Sequence, residues 1–186
     1  MLKEKENPPI SWPAGAGISS FVGTWWVAHT KSRNEKAAAW ELSRKDISYF
    51  LPMRPHIHYI RKRKIRSLLP LFPGYIFFCG RENQRLDLLK TNRVANLIEV
   101  KDQPKLLGEL LKIEQAINSG VVIAPHKYIE AGRLCRVISG PLAGLQGIVV
   151  ETRTAARLLL QVDMLGQAAS VEIDMDVIEV IDQGSQ

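Results

Sequence analysis

The chain has 186 residues, of which 46% are apolar and 24% charged, enough apolar material to bury the core of one ordinary domain or two small ones. The 25 Lys+Arg against 19 Asp+Glu leave a formal charge of +6, which favours an anionic partner such as nucleic acid, and that charge divides the chain: residues 21–113 hold 18 basic and 8 acidic side chains, residues 131–186 hold 4 and 7. Cys79 and Cys135, the only cysteines, exclude a disulfide framework, and with no signal-type apolar region at the start and no run of about twenty apolar residues, a cytoplasmic monomer with no membrane partner is expected.

Residues 1–20 mix both charge signs with prolines and glycines and are expected to form a flexible tail. "TWWVAHT", residues 24–30, reads as a strand. Ser32 to Glu35 has the Ser-x-x-Glu spacing of a capping box, predicting a helix to about Lys45 with Ala38 and Leu42 on its core face. "ISYFLPM" follows as a strand closed by Pro52, then a basic loop or hairpin arm over residues 54–66. The strand Gly74 to Cys79 places Tyr75, Phe77 and Cys79 on one face and Ile76 and Phe78 on the other. Both faces are apolar, so either helices cover both sides or one end of the sheet offers aromatics to a partner. A short helix around 82–90, a strand at 94–100 and a helix opened by Pro104 complete the first domain. In that last helix Leu106, Leu110, Ile113 and Ile117 share one face. Gly120 and Pro125 break the helical pattern, and residues 118–130 read as a linker. Beyond it come short strand-like segments punctuated by Gly140-Pro141, Gly144, Gly147 and Gly166, the pattern of a small barrel. The elements predict an α+β chain: an N-terminal α/β sandwich followed by a small C-terminal β-barrel.

With these segments in this order, the chain resembles the NusG family of transcription elongation and antitermination factors, including specialised paralogues of the RfaH type. "WWVAHTKSRNEKAAAWEL", "FLPM" and "PLFPGYIFF" are similar to the family's N-terminal (NGN) domain, and "GRLCRVISGPLAGLQGIVVE" to the KOW motif of its C-terminal domain. The resemblance implies an antiparallel NGN sheet with flanking helices over residues 21–117 and an SH3-like KOW barrel over 131–182. It also implies a docking patch for the clamp helices of the largest RNA polymerase subunit, with Phe72 and Tyr75 in the patch and His29 at its rim.

The resemblance further implies that non-template or upstream DNA passes nearby. Lys31 matches a position where RfaH-like members touch single-stranded DNA. Arg33 and the arm residues Arg54, Arg61, Lys62, Arg63, Lys64 and Arg66 are further candidates for phosphate contacts; a solvated loop is the other reading of the same charges. In the barrel, Met164, Leu165 and Gln167 match the hairpin where the tenth protein of the small ribosomal subunit, NusE, or the termination factor Rho docks, and Met164 and Leu165 could equally close the barrel. His29 and Gln167 depart from the housekeeping pattern and point to a specialised paralogue. The glycines and β-branched residues around "TAARLLLQVDML" favour a barrel over a helical hairpin that would mask the patch.

Enzyme chemistry finds no support: there is no Ser-His-Asp or Cys-His set, no P-loop and no paired carboxylates at a suggestive spacing. His56-x-His58 lacks a third ligand, so no metal and no cofactor are expected. The alternative function is a ribosome-associated or RNA-binding KOW protein.

Overall fold

The computed structural model describes residues 6–60, 63–127, 132–151 and 156–181, in a mixed α+β chain of two compact units, Met1–Gln103 and Pro104–Gln186. The division falls at the first turn of the helix that the sequence reading places at the end of the first domain.

The first unit holds strands β1 (Ser11–Trp12), β2 (Thr24–Thr30), β3 (Ser48–Phe50), β6 (Tyr75–Gly80) and β7 (Val94–Glu99) in one sheet, ordered β1-β3-β6-β2-β7 with every pair antiparallel. Helices α1 (Glu35–Arg44) and α2 (Glu82–Lys90) belong to the same unit. The alternation of β2 and β6 sends Trp26, Ala28, Ile76 and Phe78 to one face, where they form a buried cluster with Ala38, Ala39 and Leu42 of α1 and Leu88 of α2. Trp26 stacks on Phe78 within it, ring centroids 5.4 Å apart. The opposite face carries Trp25, Val27, Phe77 and Cys79, all buried. Phe21 stacks on Trp25, and Phe72 meets Phe77 edge-on.

The basic stretch is a hairpin, β4 (Met53–Ile60) paired with β5 (Arg63–Pro70) in a two-stranded sheet of its own. Of the cations assigned to it, Arg61 and Lys62 lie outside the described residues, Arg63 and Lys64 open β5 opposite Ile60 and Tyr59, Arg66 is exposed opposite Ile57, and Arg54 is half-buried.

Two expectations are corrected in this unit. Residues 9–18 of the expected flexible tail are instead tied to the sheet: β1 pairs with β3, Ile18 is fully buried, the Leu51 N–H donates to the Ile10 carbonyl and the Tyr49 hydroxyl to the Pro9 carbonyl. Ile10, Trp12 and Ile18 supply the apolar surface that repays ordering this segment. The capping box is not made: α1 begins at Glu35 after Asn34, with no side-chain cap, and the Glu35 carboxylate is committed elsewhere.

The second unit contains α3 (Gln103–Asn118, apart from its first residue) and a six-stranded antiparallel sheet. Its strands are β8 (Ile123–Lys127), β9 (Arg133–Val137), β10 (Gln146–Glu151), β11 (Ala156–Val162), β12 (Gln167–Ile173) and β13 (Ile178–Val180), ordered β13-β9-β10-β11-β12-β8. A Cβ at Gly147 would stand 2.5 Å from the Leu159 carbonyl oxygen, so the residue marks a close approach between β10 and β11. The buried face of α3 is Leu106, Leu110, Ile113 and Ala116, with Ile117 only half-buried. The expected linker is corrected over residues 123–127, which pair with β12 at the sheet edge; Pro125 is tolerated there because an edge strand has one side free of ladder bonds. Among the described residues no helix is long and apolar enough to cross a membrane.

Candidate functional site

The strand ends at His29 and Tyr75 are where the second face of the first sheet opens. His29 and Tyr75 are partners in the β2–β6 register, and their rings stack with centroids 5.0 Å apart. Further along the same face Trp25, Val27 and Phe77 are buried; His29 is exposed and Tyr75 half-buried. Of the sequence alternatives, the strand is therefore covered on both faces over most of its length and aromatic at one open end. The pairing of β2 with β7 shifts register between His29 and Thr30, an irregularity of the kind that re-aims a side chain at a strand end.

The turn before β6 is fixed through its backbone. The Tyr75 N–H donates to the Phe72 carbonyl at 3.1 Å and the Thr30 N–H to the Gly74 carbonyl at 2.7 Å. The Gly74 N–H donates to Oε1 of Glu35, also at 2.7 Å. Gly74 has φ +86°, and a Cβ there would stand 3.4 Å from His29 Cδ2, so this position requires glycine for its conformation and offers little room beside the imidazole. Phe72, expected in an exposed patch, is 1% exposed. Its ring meets Phe77 at 87° with centroids 6.1 Å apart, so it supports the open end from the core and does not itself present surface.

Beside the aromatic pair lies a cationic loop cluster. Lys31 and Arg33 are exposed, and Arg33 adopts a left-handed φ of +60°. The Lys31 N–H donates to the Arg93 carbonyl at 2.9 Å and its ammonium to the Asn92 side chain, while the Arg93 guanidinium donates to Asn34 Oδ1 at 3.2 Å. The turns at 31–34 and 91–93 are thereby joined, and Arg93 adds a third exposed cation that no sequence pattern marked.

Glu35 was also missed, because a Glu three residues after a Ser reads as a cap and nothing local announces a bond to residue 74. The next residue, Lys36, reaches the hairpin arm: its ammonium donates to the Leu68 carbonyl at 2.6 Å and to the Asn7 side chain at 2.5 Å. Burial draws the Lys36 ammonium below its usual pKa, opposed by the adjacent Glu35 carboxylate.

In the second unit the β11–β12 connection is a 3-10 turn over Asp163–Leu165 closed by Gly166 in a left-handed conformation, φ +57°. Met164, Leu165 and Gln167 are all half-buried around it. Lys105 of α3 pairs with Asp163 at 2.6 Å. Burial first, then the Asp163 charge, pushes the Glu109 carboxyl up to about 7, partly offset by a hydrogen bond from the Asp163 backbone. Among the described residues no group of three or more His, Cys, Asp and Glu side chains is arranged to hold a metal. Side chains are described for His56 but not for His58.

Residues 23–112 match the family model described as transcription termination factor nusG, a span running from β2 into α3. Over these residues the chain carries a NusG-family domain, and it is a homologue of transcription termination and antitermination factors. The transcription termination/antitermination protein NusG of Helicobacter pylori (strain J99) is 26% identical over 141 residues, 70% of this chain and 78% of that one. A chain in the crystal structure of the MjSpt4:Spt5 complex, conformation B, aligns over 87% of this chain and 99% of its own at 16% identity, with a TM-score of 0.27.

Proposed function

We propose that the protein is a transcription elongation and antitermination factor that docks on RNA polymerase through the open end of its first sheet. The observation that carries this reading is the exposed His29 ring stacked on half-buried Tyr75 at the open end of an otherwise buried run of β2 and β6, beside a turn fixed by two backbone–backbone hydrogen bonds and one from the Gly74 N–H to the Glu35 carboxylate. An aromatic pair on a rigid seat presents apolar area at low entropic cost, the kind of anchor that dominates protein interfaces. The occupant we assign is the clamp-helix coiled coil of the largest polymerase subunit, with Tyr75 and His29 in contact and Phe72 supporting them from the core. Bridging the cleft in this way would hold the clamp closed and suppress pausing and termination.

Lys31, Arg33 and Arg93, with Arg66 and the other cations of the hairpin arm, would then face non-template or upstream DNA, each phosphate contact being salt-dependent. The second unit we read as an SH3-like KOW barrel whose 164–167 hairpin recruits NusE or Rho. His29 and Gln167, which depart from the housekeeping pattern, favour a specialised paralogue. The test is binding of the purified full chain to core RNA polymerase against naked RNA of matched length at physiological salt. Preferential retention of polymerase is expected; stronger retention of RNA would replace this reading with that of an RNA-binding KOW protein.

A further inference from the structure

We propose that Glu35 is the positioning residue of the docking face: its carboxylate, acting on the Gly74 amide, sets the turn that seats His29 and Tyr75. This inference rests on the docking reading above and adds to it a residue that touches no partner. Glu35 is 8% exposed. A carboxylate is almost never buried to that extent unless something repays its desolvation, and here the repayment is a charge-assisted bond of 2.7 Å from the Gly74 N–H. The side chain starts from the first residue of α1, where the helix macrodipole also favours negative charge.

The consequences propagate through one peptide unit on either side of Gly74. Glu35 fixes the Gly74 N–H, and the Thr30 N–H fixes its carbonyl at 2.7 Å. With both groups held, φ at Gly74 stays at +86° and the space where a Cβ would stand is bounded 3.4 Å away by the His29 imidazole, whose partner in the stack is the very next residue, Tyr75. The neighbouring Lys36 bonds the Leu68 carbonyl in β5, so a single helical turn ties the aromatic seat to the root of the hairpin arm. A buried polar group of this kind adds little to net stability compared with an apolar replacement, and its value lies in specifying one geometry.

Two near-isosteric variants separate positioning from charge. Glu35→Gln keeps the reach of an acceptor oxygen to Gly74 and loses the charge; Glu35→Asp keeps the charge and the helix-start preference and withdraws the oxygens by one methylene. The full chain would be followed by amide hydrogen exchange at Gly74, by the ring-current shifts of His29 and Tyr75, and by affinity for an isolated clamp-helix fragment. Glu35→Asp is expected to speed Gly74 exchange about tenfold or more, to abolish the ring-current signature and to weaken fragment binding about tenfold, with Glu35→Gln within about threefold of wild type on each. Retention in Glu35→Asp with loss in Glu35→Gln would assign Glu35 a purely electrostatic role and overturn the proposal, as would equal behaviour of the two variants. If the wild-type chain does not bind the fragment, the docking reading fails alone; Gly74 exchange and the ring shifts still decide whether Glu35 sets the turn.

Discussion

Two glycine turns, one in each unit, are built to different standards. At Gly74 both backbone groups are bonded, φ is +86°, and a Cβ would meet the His29 ring at 3.4 Å. At Gly166 φ is +57°, the N–H donates to Asp163 at 3.0 Å, and a Cβ would find no atom within 4 Å. The first turn is over-determined and carries a stacked aromatic pair; the second needs glycine for its backbone conformation alone and leaves Met164, Leu165 and Gln167 around it without a comparable seat. Where a neighbouring ring stands against the turn, a substitution meets both the backbone cost and that neighbour; where none does, only the backbone cost remains.

The largest expected effect lies under the first turn. Phe72→Ala removes a fully buried ring and should cost about 3–5 kcal/mol, read as a fall in the denaturant midpoint at unchanged slope. A loss below about 1 kcal/mol would return Phe72 to the surface and undo its role as support.

The two glycines test the contrast directly. Gly74→Ala and Gly166→Ala both pay about 1–2 kcal/mol for a left-handed residue, and Gly74→Ala pays in addition for crowding His29, so it should lower the thermal midpoint more. Equal losses would break the contrast.

A smaller effect sharpens it from the second side. The folded carboxyl of Glu109 titrates at about 7, above the roughly 4.3 of an unfolded chain. Between those values the folded chain binds more protons than the unfolded one, so this group's contribution falls as pH rises through the window and is flat above it. Glu109→Gln should remove that slope, measured as denaturant midpoints at pH 5 and pH 8; an unchanged slope would place its origin elsewhere.

The smallest perturbation is chemical labelling, because each unit holds one buried cysteine. Burial pushes the Cys79 thiol up to about 11 and raises that of Cys135 as well. Both should react with a thiol reagent at pH 8 about a hundredfold more slowly than in the denatured chain, and the faster of the two marks the unit that opens more readily. Immediate labelling of Cys79 would contradict the buried β6 strand.

Much of this architecture was legible in local pattern. Alternation along 24–30 and 74–79 placed the two central strands, and four-residue spacing placed Ala38 and Leu42 in the core. Contacts far apart in sequence were not legible. The tail looked disordered by composition, yet it adds β1 to the sheet edge; residues 123–127 looked like linker, yet β12 provides them with a partner strand. Ser32 and Glu35 satisfied a capping pattern while the carboxylate was drawn to an amide 39 residues away. At the site, the family resemblance, not the residue pattern, pointed to Phe72, Tyr75 and His29 together, and the structure sorts them by depth: a buried ring and an accessible stacked pair. Arg93 joined the cations only because a turn brings it beside Lys31.

The most direct test of the account is the affinity of the full chain for the clamp-helix fragment, comparing wild type with a His29→Ala, Tyr75→Ala double variant of unchanged thermal midpoint. Interface anchors cost about 2 kcal/mol or more each on truncation, roughly thirtyfold per residue. A loss of that order in a folded double variant is the predicted result; binding indistinguishable from wild type would show that the open aromatic end is not the docking face.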